Sequence, residues 1–161
     1  MRRALFLSIC LFANACKMQE EPPPKKEPER AAAAPKRVQI VKAPAEDVAS
    51  TVKKQLEAAK SAGRDLVVYV GATWCEPCQR FHAAAERGEL DSAFPGLVLL
   101  EFDLDRDGER LAADGYSSQF IPLFVVPNTD GTASPRRFEG SVKGDGAVAD
   151  ITPKLRGILR K

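Results

Sequence analysis

Trp74-Cys75-Glu76-Pro77-Cys78 sets two thiols two residues apart, directly after the apolar run Leu66-Val67-Val68-Tyr69-Val70. Thiols at this spacing close a small disulfide ring or open it. The run predicts a buried strand that delivers the pair to the edge of a sheet, and Pro77 marks a helix that begins at or just after Cys75. The first helical turn leaves backbone N–H groups without partners and carries partial positive charge, both of which favour a thiolate. The thiolate is the nucleophile, and helix N-termini lower a cysteine pKa from ~8.5 to ~3.5–7.5. Cys75 is therefore read as the nucleophile. Cys78, one turn further in and more shielded, is read as the resolving thiol. So small a loop restrains the unfolded chain only weakly, which makes exchange a better reason for the pair than stapling.

Other uses of the two cysteines were weighed. Structural zinc usually takes four Cys or His ligands, and beyond these two cysteines the folded part offers only His82, the one histidine of the chain. His82 falls four residues after Cys78 on the same helix face, so a Cys-Cys-His copper or zinc site stands as an alternative to a plain helix histidine. Haem attachment needs a histidine directly after the second cysteine, and Gln79 stands there. No cofactor and no resident metal are expected.

The elements that must position the thiols follow from periodicity. Val48, Val52, Leu56 and Ala59 give a helix over 45–62 with one buried face, stopped at Gly63. Strands are expected at 66–70, 97–104 and 122–126, with an antiparallel partner at 136–140 after the turn Asn128-Thr129-Asp130-Gly131. Helices are expected at 76–87, at 108–114 and near the C-terminus, where Ile151, Leu155, Ile158 and Leu159 share a face with Thr152 and Pro153 near its start. This order describes an α/β domain whose mixed sheet is covered by helices on both faces. Roughly 115 residues suffice for one domain with its own core, expected to be monomeric.

Trp-Cys-x-x-Cys after a strand, with Phe120-Ile121-Pro122 reaching proline 44 residues beyond Cys78, resembles the thioredoxin superfamily over residues 45–161. Phe138-Glu139-Gly140 and Lys143-Gly144 resemble its final strand and turn. The resemblance implies a thioredoxin-like fold, a cis Ile121–Pro122 bond facing the dithiol, and main-chain groups of Ile121 and Pro122 that receive an extended substrate. Trp74 would supply an apolar lip or pack in the core. The family's buried Asp, six residues before its first active-site Cys, is replaced here by Tyr69. Glu101, near the position of the family's buried Lys, is a substitute proton acceptor if it lies below Cys78, and a surface residue if it points to solvent. Cys-Glu-Pro-Cys is also similar to membrane-tethered reductases of cytochrome c maturation. Those carry an insertion that the 44-residue gap is too short to hold, so that task is not assigned.

The remaining residues speak to location. Arg2 and Arg3 precede a ten-residue apolar stretch, Ala4 to Ala13, too short for a bilayer that needs about 20 residues. With Ala13-Asn14-Ala15-Cys16 after it, residues 1–15 read as an export signal. Cys16 resembles the lipidated cysteine of bacterial lipoproteins, with ordinary cleavage and a free thiol as the alternative. Residues 16–44 contain six prolines and charges of both signs, and read as a tether. Val38 to Val41 is the exception, readable as a first strand. The chain has 24 basic and 22 acidic side chains, and Arg2 and Arg3 supply the whole excess. No basic run is interleaved with aromatics, so a nucleic-acid partner is not expected. The expectation is a lipid-anchored thiol–disulfide oxidoreductase in the bacterial cell envelope, facing the periplasm. It would reduce disulfide-containing envelope proteins and be recharged by an upstream thiol donor. A copper-binding or copper-delivery protein using Cys75, Cys78 and His82, or a redox-silent binding module of thioredoxin-like fold, is the alternative.

Overall fold

The computed structural model describes residues 36–160, so residues 1–15, read above as an export signal, and Cys16 lie outside the described residues. Five strands form one sheet: β1 (Gln39–Lys42), β2 (Leu66–Gly71), β3 (Val98–Asp103), β4 (Leu123–Pro127) and β5 (Ala133–Glu139). Their order across the sheet is β1-β3-β2-β4-β5. β1, β3 and β2 pair in parallel, whereas β4 pairs antiparallel with both β2 and β5, which makes the sheet mixed as expected. Helices α1 (Val48–Ser61), α2 (Glu76–Glu86), α3 (Leu104–Ala113) and α4 (Ala147–Leu159) complete the domain. No helix among the described residues is long and apolar enough to cross a membrane.

The sheet separates two cores, and alternation along each strand decides which residue enters which. Val67, Tyr69, Leu99 and Phe124 face α2 and α4, where Phe81, Ala84, Ile151 and Leu155 meet them. Val68, Val70, Leu100, Phe102 and Val125 face the other way, onto Val48, Val52 and Leu56 of α1 and Leu111 of α3. Below α2 the rings of Tyr69, Phe81 and Phe138 surround Phe124 with centroids 5.1, 5.0 and 4.8 Å away. This aromatic stack is the floor on which the dithiol helix rests. Removing a fully buried Phe from such a site costs about 3–5 kcal/mol.

Three elements depart from the sequence expectations. β1 pairs with β3 upstream of residue 45, so the folded part takes in residues assigned above to the tether. Val38 is buried beside it, and its N–H donates to Asp91 Oδ1 at 2.8 Å. The strand reading of Val38 to Val41, rather than the tether, is the one that holds. α3 starts at Leu104 rather than 108, because Asp103 caps it by accepting from the N–H groups of Asp105 and Arg106 at 3.0 and 3.1 Å. α4 starts at Ala147, which leaves Pro153 inside the helix rather than near its start.

Candidate redox site

Cys75 is the N-cap of α2, with extended backbone angles (φ −80°, ψ 103°), and Pro77 occupies the first turn. The two cysteines form a disulfide with Cα atoms 5.2 Å apart. Cys75 Sγ accepts a hydrogen bond from the Cys78 N–H at 3.3 Å, so one of the orphan donors of the helix terminus points at the sulfur read as nucleophile. Both cysteines are almost wholly buried in this disulfide form, 4% and 3% exposed, so shielding does not distinguish them as expected. What does distinguish them is the N–H donor at Cys75 and the cavity at Cys78.

That cavity, about 410 Å³, opens behind Cys78 between β2, β3 and α2. Glu101 lies on its wall. It shares the strand parity of Leu99, so it faces α2 rather than the α1 side, and its side chain is 21% exposed. Tyr69 is its direct partner across β2 and β3 and fills the position of the missing acid. Burial, reinforced by the nearby Glu101 charge, pushes the Tyr69 phenol well above its ordinary value. Tyr69 therefore keeps its proton, and its hydroxyl donates to the Cys78 carbonyl at 3.4 Å. It cannot serve as a base.

His82 also lines this cavity. Its Nε2 lies 3.6 Å from Glu101 Oε1, and its Nδ1 lies 3.5 Å from Glu86 Oε1. Among the described residues, no three His, Cys, Asp or Glu side chains are grouped to hold a metal ion. The Cys-Cys-His donor set of the metal alternative is thus not assembled.

The Ile121–Pro122 peptide is cis, Pro122 is buried and Ile121 is half-buried. Gly140 N–H donates to the Pro122 carbonyl at 2.9 Å, which fastens this loop to the end of β5. Trp74 is exposed rather than packed in the core, and its Nε1–H donates to Asp105 Oδ2 at 2.9 Å. Phe120 and Val142 are the other large exposed apolar side chains among the described residues.

Glu76, between the cysteines, has a structural partner the sequence did not reveal. Its carboxylate accepts the Gly144 N–H at 3.0 Å and pairs with Arg80, which reaches on to Asp145. The Arg80 hydrogen bond, then that of Gly144, holds the Glu76 carboxyl below the usual range. Sequence spacing could have placed Cys78, His82 and Glu86 on one stripe of α2, since they recur every four residues. The Gly144 and Asp105 contacts join distant segments and carry no local signal.

No protein-family model matches the chain. In sequence it is similar to a thioredoxin H-type of Oryza sativa subsp. indica, 37% identical over 71 residues, which are 44% of this chain and 55% of that protein. It is also similar to a thioredoxin of Geodia cydonium, 36% identical over 69 residues, 42% of this chain and 61% of that one. The chain thus spans somewhat over half the length of these relatives. In structure it resembles a disulphide isomerase of Xylella fastidiosa Temecula1, with a TM-score of 0.51, 24% identity, and coverage of 70% of this chain and 93% of that one. That likeness is one of fold: the chain has a thioredoxin-like fold with a close cysteine pair, and over about 70 residues its sequence is similar to these thioredoxins.

Proposed function

We propose that the domain is a thiol–disulfide oxidoreductase of the cell envelope working in the reducing direction. The observation that carries this reading is the Cys75 sulfur at the head of α2, accepting the Cys78 N–H. In the reduced form the same N–H and the helix terminus favour a Cys75 thiolate. That thiolate attacks one sulfur of a client disulfide; the client S–S bond breaks, and its other sulfur leaves as a thiolate that takes a proton from water. The Cys78 thiol then gives its proton to Glu101 through the shared cavity, which is wide enough for water, and attacks the Cys75 sulfur. The 75–78 bond forms, the second client thiolate leaves, and two electrons have passed to the client. An upstream thiol donor restores the dithiol by the reverse exchange.

Trp74, Ile121 and Pro122 are proposed to seat the client, the exposed indole as a lip and the two backbones as partners for an extended strand. The envelope location and the lipid anchor at Cys16 rest on the sequence of residues 1–16, and the reducing direction on the resemblance of Pro77 and Ile121-Pro122 to the reducing members of the superfamily.

The test uses the full chain and a disulfide-bonded protein such as insulin. The wild type should turn over insulin disulfides in the presence of a dithiol reductant. Cys78→Ala should accumulate a covalent adduct, and Cys75→Ala should form none. Absence of turnover and adduct together would rule the activity out. A reduction potential near −120 mV, that of a strong oxidant, would reverse the direction; a value nearer −270 mV supports it.

A further inference from the structure

We propose that His82 is a positioning residue for Glu101 and makes the second chemical step, the attack by Cys78, sensitive to pH in the histidine range. This rests on the oxidoreductase reading above and deepens it. The imidazole bridges two carboxylates on different elements, Glu86 of α2 at 3.5 Å and Glu101 of β3 at 3.6 Å. A neutral imidazole has one N–H and can serve one of them; only imidazolium has a proton for each. The state of His82 therefore decides whether Glu101 is charge-paired or keeps its electrons for an incoming proton.

The other groups on the cavity do not replace it. Tyr69 from β2 stays protonated. Arg106 from α3 spends Nε and Nη2 on Asp107 and the Ala43 carbonyl. Lys42 from β1 and Asp103 from β3 also face the cavity. His82 is the chain's one histidine, the side-chain type that changes charge between pH 5 and 8. With imidazolium beside it, Glu101 is the weaker proton acceptor. As pH rises and the imidazole loses its charge, Glu101 takes the Cys78 proton more readily. The proton passes from Cys78 Sγ to the Glu101 carboxylate and then to solvent, while the Cys75–client bond breaks and the 75–78 bond forms.

The experiment separates the two steps with an aryl disulfide reagent that releases one coloured thiolate at each exchange. It uses the reduced full chain carrying Cys10→Ser and Cys16→Ser, so that only the dithiol reacts. The ratio of second-step rates, wild type over His82→Gln, should rise about fivefold across the histidine range. The first-step rates should keep one pH profile in both proteins. In Glu101→Gln the added His82→Gln change should leave the second-step profile unaltered. As His82 is the chain's one histidine, its ring proton resonance reports its midpoint directly, and Glu101→Gln should lower that midpoint. Parallel second-step profiles, or a midpoint unmoved by Glu101→Gln, would refute the role of His82. Failure of insulin turnover with a normal aryl-disulfide profile would instead sink the protein-reductase reading and leave this inference standing.

Discussion

Glu101 and Asp107 lie six residues apart on the β3–α3 segment and live under opposite conditions. Asp107 is 1% exposed and saturated: Arg106 donates from Nε and Nη2 at 2.7 and 2.8 Å, Arg110 from Nε and Nη2 at 3.2 and 2.9 Å, and the Asp103 N–H at 3.0 Å. The two arginines continue to the carbonyls of Ala43, Pro44 and Glu46, which fastens α3 to the β1–α1 connection. Glu101 stands on the wall of a cavity beside Cys78, with His82 Nε2 3.6 Å from its carboxylate. A carboxylate whose lone pairs are all taken can only hold structure. One left partly unpaired beside a reactive group can trade protons.

The comparison can be broken first at Asp107. Asp107→Asn leaves two guanidinium groups facing an amide and should cost about 3 kcal/mol of stability, read as a lower denaturant midpoint at unchanged slope. A loss below about 0.5 kcal/mol would mean that the cluster is ornamental. Acid gives the same contrast. Burial alone would raise the Asp107 carboxyl, but the hydrogen bonds from Arg106, Arg110 and Asp103 outweigh it and hold the carboxyl at about 2. Its folded value lies below its unfolded one, so its contribution is complete above about pH 4 and is lost as pH falls toward 2. The stability gap between wild type and Asp107→Asn should therefore shrink by about 2 kcal/mol over that window.

Glu101→Gln sharpens the other side. It should slow the release of client from the Cys75 mixed disulfide about 10- to 100-fold while changing stability by no more than about 0.5 kcal/mol. An unchanged release rate would remove Glu101 from the proton path. The smallest effect is expected at Glu76, a half-buried carboxylate with a tethering role. Glu76→Ala should speed hydrogen exchange at the Gly144 amide and leave the melting temperature unmoved.

Much of this molecule is legible in one dimension. The dithiol, the strand before it and the helix after it are local facts, because a two-residue spacing, an apolar run and a proline act within a few residues of themselves. The buried faces of α1 and α4 follow from helical periodicity in the same way. Asp103, one residue before Leu104, is a cap that local chemistry also carries, although the weak apolar pattern of residues 104–107 hides the helix start.

The chain order could not say on which side of the sheet Glu101 falls. Alternation gives it the parity of Leu99, but which parity meets α2 depends on strand order and crossover. The same holds for β1, whose place beside β3 rests on hydrogen bonds to a strand nearly sixty residues away. It holds too for His82 and Glu76, whose partners on β3 and at Gly144 come near only once the sheet has formed. Sequence alone therefore set the Cys75–Cys78 pair and the helix that Cys75 caps, since both are products of local backbone geometry. Tertiary structure decided which groups surround the second sulfur, because proton acceptors are chosen by proximity in space, and proximity between distant segments is what folding creates.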